Sequence, residues 1–195
     1  KVLNFSLGDA PSLAPVLRRA LASAAEADTV LVLAAGNQGA PGPSDPGRFA
    51  RLDEARGRAL IVGSVDADNV ISSFSNRAGN SAAMFIVAPG ENLLTTGVGG
   101  GSVLASGTSV ATPLVSGAAA AVLDAAPHLA ADEVVDILLG TARDLGAPGT
   151  DAIYGRGLLD LDRALAPVGE LVVPAAAGGD GVAAPASTSG LRLGA

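Results

Sequence analysis

Thr29-Val30-Leu31-Val32-Leu33-Ala34 is the stretch on which the fold turns. It is unbroken, aliphatic and β-branched, of strand length, and stopped by Gly36, which marks a strand buried on both faces. Upstream, Leu13, Val16, Leu17, Ala20, Leu21 and Ala24 recur at spacings of three and four, the apolar face of a helix from Ser12 to near Ala27. Val2 to Ser6, closed by Gly8, reads as a second strand. Strand, helix and buried strand in this order predict a right-handed crossover in a mostly parallel sheet with helices on both faces, an α/β fold.

Downstream the pattern continues. Ala40 to Arg58 is rich in Gly, Pro and Arg without either period and reads as a long surface loop. Ala59-Leu60-Ile61-Val62-Gly63 and Met84-Phe85-Ile86-Val87-Ala88-Pro89-Gly90 are further strands, with the polar Ser72 to Arg77 between them. Gly97 to Gly101 is a glycine turn before Ser102 to Ser106. Helices are predicted from Thr108 to about Ala126, rich in small residues, and from Ala131 to Arg143. Tyr154 to Leu165 is a glycine turn and a short amphipathic segment, and a domain over 1–166 gives way to an Ala/Gly/Pro-rich linker or tail over 167–195. The chain opens Lys1-Val2-Leu3-Asn4 inside a predicted core strand, so a sheet incomplete on its N-terminal side, completed by an N-terminal part of the same domain, is expected. Such a chain taken alone is expected to associate through an open sheet edge.

Composition narrows the function. Over 195 residues, 49% are hydrophobic and 16% charged, a globular balance. Twelve Lys+Arg against 19 Asp+Glu give a net charge of −7, with no basic stripe, which argues against nucleic-acid binding. No run of 18 consecutive apolar residues predicts a membrane-spanning helix. The absence of Cys removes disulfides, thiolate metal sites and a Cys nucleophile. No metal site or cofactor is indicated: His128 is the single His, and Asp66 with Asp68 falls short of a calcium loop of Asp-x-Asp-x-Asp-Gly spacing.

Three short motifs carry chemistry. Ser106-Gly107-Thr108-Ser109-Val110-Ala111-Thr112-Pro113 delivers a hydroxyl at the first turn of a helix, where unpaired backbone N–H groups can stabilise a developing oxyanion. Pro113 withholds the N–H that Ser109 C=O would accept, a cost of about 3 kcal/mol in a helix interior that marks this helix start as special. Read alone, Ser109 also suits a plain helix cap. Ala34-Ala35-Gly36-Asn37-Gln38-Gly39 sits at the C-terminal end of a buried strand, where open α/β sheets hold their sites. Asn37 can donate its amide to an oxyanion or serve as a turn residue. Ser6-Leu7-Gly8 ends the first strand and alone means only a turn.

Together, and in this order, the three resemble the subtilisin-like serine proteases, the subtilases. The resemblance covers about residues 1–166 and is strongest at Gly107, Thr108, Ser109, Ala111 and Pro113, with Ala88-Pro89-Gly90 and Phe74-Ser75-Asn76 as further landmarks. It implies a serine endopeptidase with Ser109 as nucleophile and with Asn37 and the Ser109 N–H around the oxyanion. An extended polypeptide substrate would pair with Ser6, Leu7 and Gly8, and Ala34, Ala35 and Gly36 would wall the pocket for the residue before the cut, which Gln38 and the loop over 40–58 narrow or polarise. Structural calcium is compatible with the resemblance. The Asp and His of the triad precede the nucleophile in subtilases, yet no His precedes Ser109 here, and His128 lies in a helix–helix connection. The chain therefore holds the serine half of a site and is expected to be nearly inactive alone, its Asp and His lying upstream. A non-catalytic subtilase-like scaffold or passenger is the alternative. Gly107-Thr108-Ser109-Val110-Ala111 also approximates an α/β-hydrolase elbow, but no His follows near the chain's end. The close at Tyr154 to Leu165 looks like that of subtilase domains in bacterial autotransporters, which implies a secreted or cell-surface protein and a C-terminal membrane-anchoring module beyond the tail.

Overall fold

The computed structural model describes residues 1–8 and 12–166, so the linker expected over 167–195 lies outside the described residues. Four parallel strands, β1 (Val2–Phe5), β2 (Val30–Ala34), β3 (Ala59–Val65) and β4 (Phe85–Pro89), stand side by side in chain order. Leu31 is in register with Leu3 and Ala59, and Ile61 with Phe85. Helix α1 (Pro15–Glu26) joins β1 to β2, as its apolar spacing predicts.

Strand alternation sorts the core into two layers. Val30, Val32, Leu60, Val62, Ile86 and Ala88 face α2 (Thr108–Ala125) and α3 (Ala131–Thr141), while Leu31, Leu33, Ile61, Phe85 and Val87 face α1 and the β2–β3 connection. Each such side chain fully buried contributes about 1.5–3 kcal/mol relative to exposure. The sheet is thus covered on both faces, and β2 and β3 are buried along their whole length. Helix α2 is long and apolar enough to cross a bilayer by composition alone, but it packs Ala111, Val115, Ala118, Ala119 and Val122 into the core.

Two stretches depart from the sequence reading. Residues 40–58 form more than a surface loop: two 3₁₀ turns, Gly47–Arg51 and Asp53–Ala55, bury Phe49, Ala50 and Ala55 against the sheet. A single buried Phe in a Gly/Pro/Arg context escapes both periodicities. Residues 93–105 form an antiparallel hairpin separate from the main sheet, β5 (Leu93–Thr96) with β6 (Ser102–Ala105), turned at the glycines.

The sheet's far side is finished by the C-terminal segment. Val87 N–H donates to Gly157 C=O at 2.9 Å, and Arg156 N–H and Leu159 N–H donate to Phe85 and Val87 C=O, each at 2.8 Å. Gly155 (φ 64) and Gly157 (φ 109) permit this approach, since a Cβ on either would strike backbone of Phe85 or Arg143. Short helix α4 (Leu161–Ala164) follows, capped by Asp160 accepting from Arg163 N–H at 3.0 Å. A charged cluster ties the ends of α1 and α3 together. Arg58 donates to Ala25 C=O at 2.7 Å and pairs with Asp28 (3.2 Å) and Asp132 (3.4 Å), and Asp28 accepts from Ala131 N–H at 3.0 Å.

Candidate active site

Ser109 stands in the first turn of α2, half-buried, directly after Gly107. Gly107 has φ 154, and a Cβ there would lie 2.9 Å from Ser109 Oγ and 3.7 Å from Asn37 Oδ1. The φ of 154, which L side chains rarely adopt, together with the tight approach of Ser109 Oγ, favours glycine here. Its N–H donates to Gly90 C=O at 2.8 Å, so the Pro89-Gly90 turn at the end of β4 braces the turn before Ser109. Inside the helix Thr112 Oγ1 donates to Thr108 C=O at 2.6 Å, next to Pro113.

Asn37 follows β2. Its Oδ1 accepts from Thr108 N–H at 2.8 Å and from Thr108 Oγ1 at 3.0 Å, while Thr108 Oγ1 in turn accepts from Gly36 N–H at 3.2 Å. This circuit fixes the orientation of the amide, because the opposite one would set N–H against N–H. With Oδ1 doubly occupied, the Nδ2 end is the one offered to solvent at the helix start, among orphan N–H groups that favour negative charge. Thr108, fully buried, is a positioning residue that sequence reading passed over as part of a motif.

Asn76 is the second residue missed. It is 0% exposed, and each of its amide atoms makes two bonds: Nδ2 donates to Ala35 C=O (2.9 Å) and Gln38 Oε1 (3.0 Å), and Oδ1 accepts from the N–H of Gln38 (3.1 Å) and Ala40 (2.9 Å). It thereby holds the turn that carries Asn37. Buried Ser75 holds its backbone, with Ser75 Oγ donating to Asn76 C=O at 3.0 Å and accepting from Ser64 N–H at 3.0 Å. A polar Ser-x-x-Ser-Asn stretch signals this only as a turn.

The other expected substrate contacts are placed unevenly. Ser6, Leu7 and Gly8 run on from β1 without strand pairing, Leu7 68% exposed, and a Cβ on Gly8 would lie 3.5 Å from Gly36 Cα and 3.6 Å from Ser44 Oγ. The arm therefore reaches Gly36. Ala34 and Ala35 are buried, Ala35 within the core layer beneath α1, so these two offer backbone rather than side-chain wall. Ala35 C=O accepts from Ser44 N–H at 2.9 Å and Ser44 Oγ at 3.2 Å. His128 is exposed in the turn after α2. It lies a whole 18-residue helix from Ser109, on the order of 27 Å at 1.5 Å per residue, too far to act on it.

A Subtilase family model matches residues 1–157. Among curated proteins the chain is similar to subtilisin BL of Lederbergia lenta, 37% identical over 163 residues, covering 84% of this chain and 55% of that protein. It is also 32% identical over 160 residues to serotype-specific antigen 1 of Mannheimia haemolytica, covering 76% of this chain and 17% of that one. Among solved structures it is similar to the prenylagaramide maturation protease PagA (29% identity, TM-score 0.72, 84% of this chain and 60% of that chain). The patellamide maturation protease PatA gives 32% identity and a TM-score of 0.71, covering 84% and 61%. The chain thus spans about half the length of the curated subtilisin it matches, 55%. With the family model satisfied from the first strand through the glycine turn that closes the sheet, the chain belongs to the subtilase family.

Proposed function

We propose that the chain supplies the nucleophile half of a serine endopeptidase. Ser109 Oγ attacks the carbonyl carbon of a peptide bond and its proton passes to a His outside these 195 residues, oriented by an Asp likewise outside them. The carbonyl oxygen, now an oxyanion, is held by Asn37 Nδ2 and the Ser109 N–H. Collapse of the tetrahedral intermediate expels the amine, protonated by the same His, and leaves an acyl ester on Ser109 that water hydrolyses. The observation that carries this reading is the doubly bonded Oδ1 of Asn37, which leaves Nδ2 as the end of the amide available to an incoming oxygen beside the helix start bearing Ser109. The substrate runs as an extended strand along Ser6, Leu7 and Gly8, with its residue before the cut between Gly8 and the Ala34-Ala35-Gly36 backbone.

The rest of the catalytic domain packs against β1, supported by the lack of a usable His and by the 55% coverage of subtilisin BL. We place the activity outside the cell or at its surface, a reading supported by likeness to a protein named as an antigen. The autotransporter-type membrane anchor expected beyond the tail falls outside the described residues.

Treating the full-length protein with a fluorophosphonate tests the proposal. An adduct on the Ser109 peptide, lost in Ser109→Ala, is expected. In the same protein Asn37→Ala is expected to lower turnover by about 10²–10³ while Ser109 stays labelled slowly. No adduct on folded protein would leave the non-catalytic scaffold as the correct reading.

A further inference from the structure

Past Gln38 the Asn37 turn borders a cavity of about 580 Å³ that the proposed hydrolysis leaves unused. Arg48 and Arg51 line it, with Gln38, Asn76, Asn80 and Ser81 as neutral polar neighbours. Among the described residues no carboxylate lines it, although the chain carries 19 Asp+Glu against 12 Lys+Arg. Local structure explains the placement of the cations. In a 3₁₀ turn, residues three apart eclipse one another. Across Gly47–Arg51, Arg48 and Arg51 therefore share one side, while buried Phe49 and Ala50 fix the turn in the core.

The two guanidiniums differ. Arg48 is bound twice by Asp45, at 3.3 and 3.0 Å, and Asp45 is only 13% exposed, so that charge is answered from within the protein. Arg51 is exposed and makes no ion pair or hydrogen bond among the described residues. A polar cavity with one positive charge that no described residue answers, on a turn anchored by buried Phe49 and Ala50, favours a carboxylate that can take the guanidinium fork bidentately. Its position relative to the site is fixed by Gln38, which lines the cavity, follows Asn37 in sequence and is bonded by Asn76, itself a lining residue.

We propose that this cavity binds an acidic side chain of the polypeptide substrate, with Arg51 as its ion-pair partner. The inference rests on the proteolytic reading above and makes the enzyme selective for Asp or Glu at one fixed distance from the cut bond. The test profiles the full-length protease on peptides in which each position is varied among Ala, Glu and Lys. Expected is a kcat/KM preference for Glu over Ala at a single position, with that ratio falling roughly 10- to 100-fold in Arg51→Gln and less in Arg51→Lys. No acidic preference, or a preference unchanged in Arg51→Gln, overturns the proposal. Amidated and free C-termini are run in parallel, and an Arg51 effect confined to free C-termini overturns the side-chain assignment. Should Ser109 fail to label, the proteolytic reading falls separately, and the cavity is read by anisotropy of fluorescein-labelled Glu and Ala peptides on full-length Ser109→Ala protein. Tighter binding of the Glu peptide, lost in Arg51→Gln, supports the site, and equal binding overturns it.

Discussion

The two edges of the sheet are finished in different ways. At β4 the chain returns on itself, and residues 156–159 take up the outer hydrogen-bonding groups of Phe85 and Val87. At β1 the described residues offer no strand beyond, and Val2, Leu3 and Phe5 are half-buried where β2 and β3 are wholly buried. The difference divides the candidate site. Ser109 and Asn37 sit on the interior side, Ser109 in α2 behind a turn braced by Gly90 and Asn37 after β2, bonded by buried Thr108. The Ser6-Leu7-Gly8 arm hangs from the open edge, with a local bond from Asn4 Nδ2 to Ser6 Oγ at 2.9 Å among the described residues. The proposed chemistry is anchored in the interior and the proposed substrate pairing at the margin.

That contrast can be broken from either side. The largest effect is expected for Asn76→Ala, which strands the N–H groups of Gln38 and Ala40, for a loss of about 2–4 kcal/mol read by urea unfolding, with turnover falling as Asn37 loses its seat. A loss no larger than that of a surface substitution would mean that the interior half is not held as described. Next, Gly157→Ala forces a Cβ onto the Arg143 carbonyl and should unfasten the closed edge at about 1–3 kcal/mol, measured as a lowered Tm. Native-state hydrogen exchange sharpens the comparison directly: amides of Val2–Phe5 should exchange on the order of tenfold faster than those of Phe85–Ala88, and equal protection would erase the distinction. Ser116→Ala removes the hydroxyl that donates to Asn4 Oδ1 at 2.8 Å, a side-chain tie between α2 and the open edge. It should cost about 0.5–1.5 kcal/mol and raise exchange in β1 more than in β4.

The smallest effect lies away from both edges. Glu54 is held below the usual carboxylate range by a backbone hydrogen bond and by Arg18, which donates to it at 2.5 and 3.1 Å. Folded Glu54 thus binds a proton less readily than unfolded Glu54, so its contribution is complete above the unfolded carboxylate range and fades as pH falls through the folded value. The stability difference between wild type and Glu54→Gln should be slight at neutral pH, shrink with added salt and vanish in acid.

The parallel sheet was legible because Thr29–Ala34, Ala59–Gly63 and Met84–Ala88 are apolar on both faces, a pattern that only a covered sheet tolerates. Ser109 and Asn37 were legible as motif residues. Thr108 and Asn76 were not read as site residues, since buried hydrogen bonding between residues 71 or 38 positions apart leaves no local period. Phe49 and Ala55 were hidden for the same reason: their burial depends on a 3₁₀ path that Gly and Pro permit without announcing. The hairpin at 93–105 is short and exposed, so its strands carry little alternation to read.

The glycine tip of that hairpin has one more consequence. The strands that seat α2, β1 to β4, lie before Gly99, while α2 and its neighbour α3 lie after it, so the chain is divisible there into two interlocking pieces. A protein nicked between Gly99 and Gly100 would carry Asn37 on one piece and Ser109 on the other. Oxyanion stabilisation would then become a bimolecular property, sensitive to dilution, and catalysis in the completed enzyme would report how tightly two halves of one core find each other.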